Sequence, residues 1–174
     1  MSVQFSEKAK ALVEKLKTRY PEGRQKSAIL PVLHLAQAEL GGWLSPEVMD
    51  YVASLLSIKP IEVYEVATFY SMLNTEKVGK FKLEVCRTSP CCLNGAEDII
   101  AYLEKKLGIQ DGETTADGLF TLKSTECLGA CGYAPMMQVG EKFHEFLTPE
   151  KVDQLLADLK SGKEVVKIAS PMAP

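Results

Sequence analysis

The chain has 174 residues, 46% of them hydrophobic and 25% charged, with 20 basic and 23 acidic side chains for a net charge of −3. That balance supports a folded core of one domain, or of two small ones, and argues against disorder. It excludes a nucleic-acid footprint, because no Lys/Arg block forms, and a bilayer span, because no apolar run is long enough. The opening segment MSVQFSEKAK has neither the apolar centre of a signal peptide nor the Arg/Ser-rich character of a transit peptide, so a cytosolic chain is expected.

The first half reads as four short helices. Ala9, Leu12, Val13 and Leu16 recur at helical spacing behind Ser6, a good N-cap. Arg24 to Leu40 repeats the pattern with Ile29, Val32, Leu33, Ala36 and Leu40, and stops at Gly41-Gly42. Pro31 falls inside that pattern and predicts a kink or a late start. Ser45-Pro46-Glu47 opens a third helix with cap, proline and acid in the favoured order, and Val48, Val52, Leu55 and Leu56 follow on one face. Pro60 opens a fourth, with Val63, Val66, Ala67 and Tyr70 on one face. Short links between four helices predict a bundle.

The period changes near Gly79. Lys80 to Val85 alternates polar and apolar, as a strand does. A helix is expected from Cys91 to Leu107, and Leu119 to Leu122 reads as a second strand. Met136 to Val139 and Phe143 to Phe146 flank Gly140-Glu141-Lys142, a hairpin turn signal. Thr148-Pro149-Glu150 opens a last helix carrying Val152, Leu155, Leu156 and Leu159. The order β-α-β-β-β-α gives a layered α/β or α+β fold. The expected divisions are a helical region at 1–78, an α/β domain at 79–162 and a weakly ordered tail at 163–174.

Chemistry concentrates in five cysteines: Cys86, Cys91, Cys92, Cys127 and Cys131. Their pattern is C-x4-C, a long gap, then C-x3-C, with one cysteine extra. Two close pairs from two loops can converge on one four-thiolate site, and in a reducing cytosol metal binding is favoured over disulfides. Thiolates bind soft metals, which leaves zinc and iron–sulfur clusters as candidates. The pair spacing admits zinc. The compact run of a bacterial four-iron cluster is absent, and His34 and His144 lack a Rieske pattern. A two-iron, two-sulfur cluster fits the chemistry best. Arg87-Thr88-Ser89-Pro90 leads into a helix start whose backbone N–H groups are expected to face the cluster sulfurs, and Gly129-Ala130 lets the second loop pass close to inorganic sulfide without a side-chain clash.

Other residues have plain readings. His34 is a packed or surface histidine on an amphipathic helix. Tyr64, Phe69 and Tyr70 read as helix core, and Glu104-Lys105-Lys106 as a solvated face. No Gly-rich phosphate loop is present, and Gly140 to Phe143 is a turn rather than a nucleotide fingerprint.

The runs "YEVATFYSML", "VCRTSPC" and "ADGLFTLKSTECLGACGYAPMMQV" resemble the E-subunit family of bacterial NADH:quinone oxidoreductase, respiratory complex I. The resemblance covers about residues 5 to 160. It implies a helical N-terminal region followed by a thioredoxin-like domain, with one [2Fe-2S] cluster on Cys86, Cys91, Cys127 and Cys131. It implies no FMN or NADH site on this chain. Those belong to an adjacent flavoprotein F subunit, whose flavin exchanges electrons with the cluster, and further peripheral-arm subunits complete the assembly. It implies a chain that is not catalytic alone, and a cytoplasmic place peripheral to the inner membrane, reached through the complex. The thioredoxin likeness also predicts a cis Ala134–Pro135 bond. Two alternatives stand beside this reading: the equivalent subunit of an NAD-linked hydrogenase or formate dehydrogenase, and a zinc-stabilised interaction module. Counting along one helix from Cys91 puts Cys92 on the apolar stripe with Ala96, Ile99, Ile100, Leu103 and Leu107, which makes Cys91 the ligand and Cys92 a buried, inert thiol.

Overall fold

A computed structural model of the chain describes residues 3–163, and these divide into two units between Lys77 and Val78. The expected tail at 163–174 lies outside the described residues beyond Lys163.

The first unit is helical, as its periodicity predicts. Helix α1 (Glu7–Lys17) starts where the Ser6 hydroxyl accepts the Ala9 amide, and it buries Ala9, Val13 and Leu16. A 3₁₀ turn at Gln25–Ala28 precedes α2 (Ile29–Glu39). Pro31 therefore lies in the first turn of α2, where no intrahelical N–H bond is lost, and it marks a late start rather than a kink. Helices α3 (Pro46–Leu56) and α4 (Pro60–Phe69) both open on proline. Val32, Leu33, Ala36, Leu44, Val52 and Val63 are buried at the centre.

One expectation fails here. Helix α4 ends at Phe69, and Tyr70 is already extended at φ −93°, ψ 117°. Phe69 is 79% exposed and Tyr70 37%, so neither is core. The buried stripe of α4 is carried by Val63 and Ala67, and the helix stops before the stripe reaches Tyr70. Tyr64 packs part-buried on the core.

The second unit is built on a four-stranded sheet ordered β2-β1-β3-β4. Strands β1 (Phe81–Cys86) and β2 (Phe120–Thr125) run parallel, with Phe81 opposite Phe120 and Cys86 opposite Thr125. Strands β3 (Met137–Val139) and β4 (Lys142–His144) form the expected hairpin, and β3 joins it antiparallel to β1. Both are shorter than their alternating runs. Helices α6 (Ala96–Leu107) and α7 (Pro149–Ser161) bury Ile99, Leu103, Val152, Leu155, Leu156 and Leu159 with Leu83, Val85, Leu122 and Val139 of the sheet. Each such side chain contributes about 1.5–3 kcal/mol of apolar transfer. The Ala134–Pro135 bond is cis.

The helix expected from Cys91 to Leu107 is two helices. A short α5 (Ser89–Leu93) ends at Asn94, and Gly95 takes φ +90° before α6 begins. That left-handed turn is open to glycine at little cost. The break resets the angular count, so the apolar stripe of α6 does not extend back through Cys92. Cys91 is the buried one, at 1% exposure, and Cys92 is half-buried.

Candidate metal centre

Parallel pairing explains why cysteines so far apart in sequence meet. Because β1 and β2 stop in register, the loops leaving their carboxyl ends start side by side. Cys86 is the last residue of β1, and Glu126-Cys127 follows the last residue of β2. The Arg87 amide bonds the Thr125 carbonyl across 2.9 Å, and the Arg87 guanidinium stands 3.9 Å from the Glu126 carboxylate, so the loops are linked at their roots.

The thiols form two pairs. Cys86 and Cys91 are buried and hydrogen-bonded to each other. Cys127 and Cys131 are exposed, with their sulfurs 3.6 Å apart. All five cysteines are free, and Cys92 turns elsewhere: its sulfur donates to the Arg87 carbonyl at 2.9 Å. The structure thus brings together the two pairs named from spacing and leaves Cys92 outside, though not by the burial expected of it. Neither His34 nor His144 belongs to a metal-binding group, and among the described residues no three His, Cys, Asp or Glu converge on a single metal ion. Two pairs are what a two-iron centre needs, one for each iron.

Backbone dipoles point at the sulfurs. Burial acts to push the Cys86 thiol up, but the amides of Thr88 and Leu128, the Cys91 thiol and the Thr88 hydroxyl outweigh it and hold Cys86 below its ordinary value. Burial, then the bond to Cys86 and that neighbour's charge, push Cys91 up to about 11, against which the Met136 amide works. The bond to Cys127 and the charge there raise Cys131. One of two adjacent thiols is stabilised as thiolate and its neighbour resists a second charge, which a bound cation reverses. The Gly129 amide donates to Cys127 Sγ at 3.4 Å. Gly129 has φ +81°, which the turn requires, and no atom of the chain lies within 4 Å of where a Cβ would stand. The four-thiol donor set, the absence of a carboxylate among the donors and the amides aimed at sulfur all fit a [2Fe-2S] cluster.

Sequence reasoning missed the contribution of Met136. Its carbonyl accepts the Cys86 amide at 3.1 Å while its amide faces Cys91, so the backbone of one residue holds both buried cysteines. No side-chain signal marks such a role. Thr88 was legible only as part of a helix start.

Residues 13–160 match the profile of the thioredoxin-like [2Fe-2S] ferredoxins. The chain belongs to this family. It is 48% identical over 152 residues to the NADH-quinone oxidoreductase E-subunit of Rickettsia felis, covering 87% of this chain and 91% of that protein. It is 45% identical over 159 residues to the mitochondrial NADH dehydrogenase [ubiquinone] flavoprotein 2 of Dictyostelium discoideum, covering 91% of this chain and 64% of that one. Among solved structures, an NAD+-reducing [NiFe]-hydrogenase shares the fold with a TM-score of 0.67 at 21% identity, over 77% of this chain and 22% of that chain. Membership makes the [2Fe-2S] cluster the cofactor of this family member, in agreement with the donor chemistry.

Proposed function

We propose that this chain is the electron-transfer subunit of an NADH:quinone oxidoreductase, in which Cys86, Cys91, Cys127 and Cys131 would hold one [2Fe-2S] cluster. The observation that carries the reading is the pair of dithiol loops leaving two in-register parallel strands. High identity to E-subunit proteins over most of both chains supports the parent complex, whereas the hydrogenase shares the fold alone. When bound, the cluster supplies a one-electron carrier whose potential is set by ligands, hydrogen bonds to sulfur and burial.

The chain's own residues do the rest. Cys86 and Cys91 hold the inner side within a small apolar cluster with Ala96, Ala134 and Met136. Cys127 and Cys131 present the outer side to a partner. That partner is the flavoprotein F subunit, which carries FMN and NADH, within the peripheral arm of the complex. No helix of the described residues is long and apolar enough to cross a membrane, and we place the chain at the inner membrane through its partners, on the cytoplasmic side.

Anaerobic purification tests this reading. The expected result is about two irons and two sulfides per chain and a paramagnetic signal after dithionite reduction. Stoichiometric zinc without that signal would overturn it. The pure, flavin-free chain is expected to give no steady NADH–ferricyanide turnover.

A further inference from the structure

We propose that the Thr88 hydroxyl donates a hydrogen bond to the Cys86 sulfur when that sulfur is a cluster ligand, and thereby raises the reduction potential of the cluster. The inference rests on the ligand assignment proposed above.

Thr88 Oγ1 is buried and has no hydrogen-bond partner of ordinary geometry. A buried hydroxyl left unmatched is costly, so its position calls for an acceptor. The residue sits at the N-cap of α5, where a threonine hydroxyl ordinarily accepts a backbone amide, yet it makes no such bond. The Thr88 carbonyl accepts from the amides of Cys91 at 2.8 Å and Cys92 at 3.1 Å instead. The hydroxyl is thus free of helix capping. The Thr88 amide and side chain both face the Cys86 sulfur, so the residue is folded back over that atom.

One electron added to the centre adds one negative charge, shared with the ligand sulfurs. An O–H dipole aimed at sulfur stabilises the more negative state, and the proton stays on Oγ1 throughout. Thr88 is therefore a positioning residue that acts through Cys86.

The test compares the cluster-loaded full chain with Thr88→Val, which keeps the shape and loses the hydroxyl, Thr88→Ala, which loses it without bulk, and Thr88→Ser, which keeps it. Iron and sulfide are assayed first, and the midpoint is then read by redox titration of the reduced-cluster signal. Either hydroxyl-free variant is expected to shift the equilibrium toward the oxidised cluster by about three- to tenfold, tenfold being 59 mV for one electron. Thr88→Ser is expected to stay within about twofold of the parent, which a merely structural role would not ensure. A parent chain that binds no two-iron cluster overturns the proposed function and this inference together. A loaded parent whose midpoint the hydroxyl-free variants share, or whose midpoint moves as far in Thr88→Ser as in Thr88→Val, overturns this inference alone.

Discussion

The Cys92 sulfur donates to the Arg87 carbonyl oxygen across 2.9 Å, while its neighbour Cys91 bonds to Cys86. Adjacent cysteines thus face different partners, and their substitutions should separate cleanly. Cys91→Ser is expected to lose or strongly perturb the cluster signal. Cys92→Ala should keep two irons per chain and cost about 0.5–1.5 kcal/mol, the worth of one hydrogen bond. Iron assay, EPR and thermal unfolding of the two variants check this. The reverse pattern would show that the ligand assignment is wrong.

His34 gives the first unit a pH dependence of its own. It is half-buried on α2, and burial lowers its pKa from the ordinary 6.5. Between pH 6.5 and the lower folded value, the unfolded chain holds more protons than the folded one. The stability contribution is therefore whole above about pH 6.5 and is lost as pH falls through the folded value. Replacing His34 by Gln should flatten the melting temperature between about pH 7 and 5, measured on parent and variant in matched buffers. An unchanged slope would remove His34 from the account.

Gly129 tests the outer loop. At φ +81° an L-residue is strained by about 1–2 kcal/mol, and asparagine tolerates the conformation better than valine. Gly129→Val should displace the amide that bonds Cys127 and retain less iron, and Gly129→Asn should retain more. Iron per chain after desalting distinguishes them.

Leu83 tests the frame. It is fully buried in β1, opposite Leu122 of β2 and Val139 of β3. Leu83→Ala should cost about 2–5 kcal/mol in denaturant unfolding. A loss below about 1 kcal/mol would mean that the sheet centre relaxes more than its packing implies.

Much of this was legible from residue order. Ser6, Ser45 and Thr148 announce helices that begin at the next residue, because a hydroxyl cap is a local device. Alternation from 80 to 85 reads as a strand and is one. The divided helix at Asn94-Gly95 was missed because apolar spacing carries across a break. The dipeptide itself, a common helix end, held the signal. Tyr70 misled for a related reason, since periodicity marks a face but not where the helix stops. The cysteine pairs were visible as spacing. The donors around them were not, because Leu128 and Met136 act through backbone amides and Thr88 through the direction of a hydroxyl.

The in-register ends of β1 and β2 bear on what this scaffold can tolerate. The two cysteine pairs are brought together by where these strands stop, with Cys86 opposite Thr125, and the stretch between them only has to cover the return. Lengthening the turn around Gly112 or Gly118 would leave every thiol where it is. Deleting one residue within β1 would slip the ladder, send Leu83 and Val85 to the opposite face and carry Cys86 away from Cys127. The long gap between the two cysteine motifs is thus elastic in length, and the six paired positions from Phe81 to Cys86 are not.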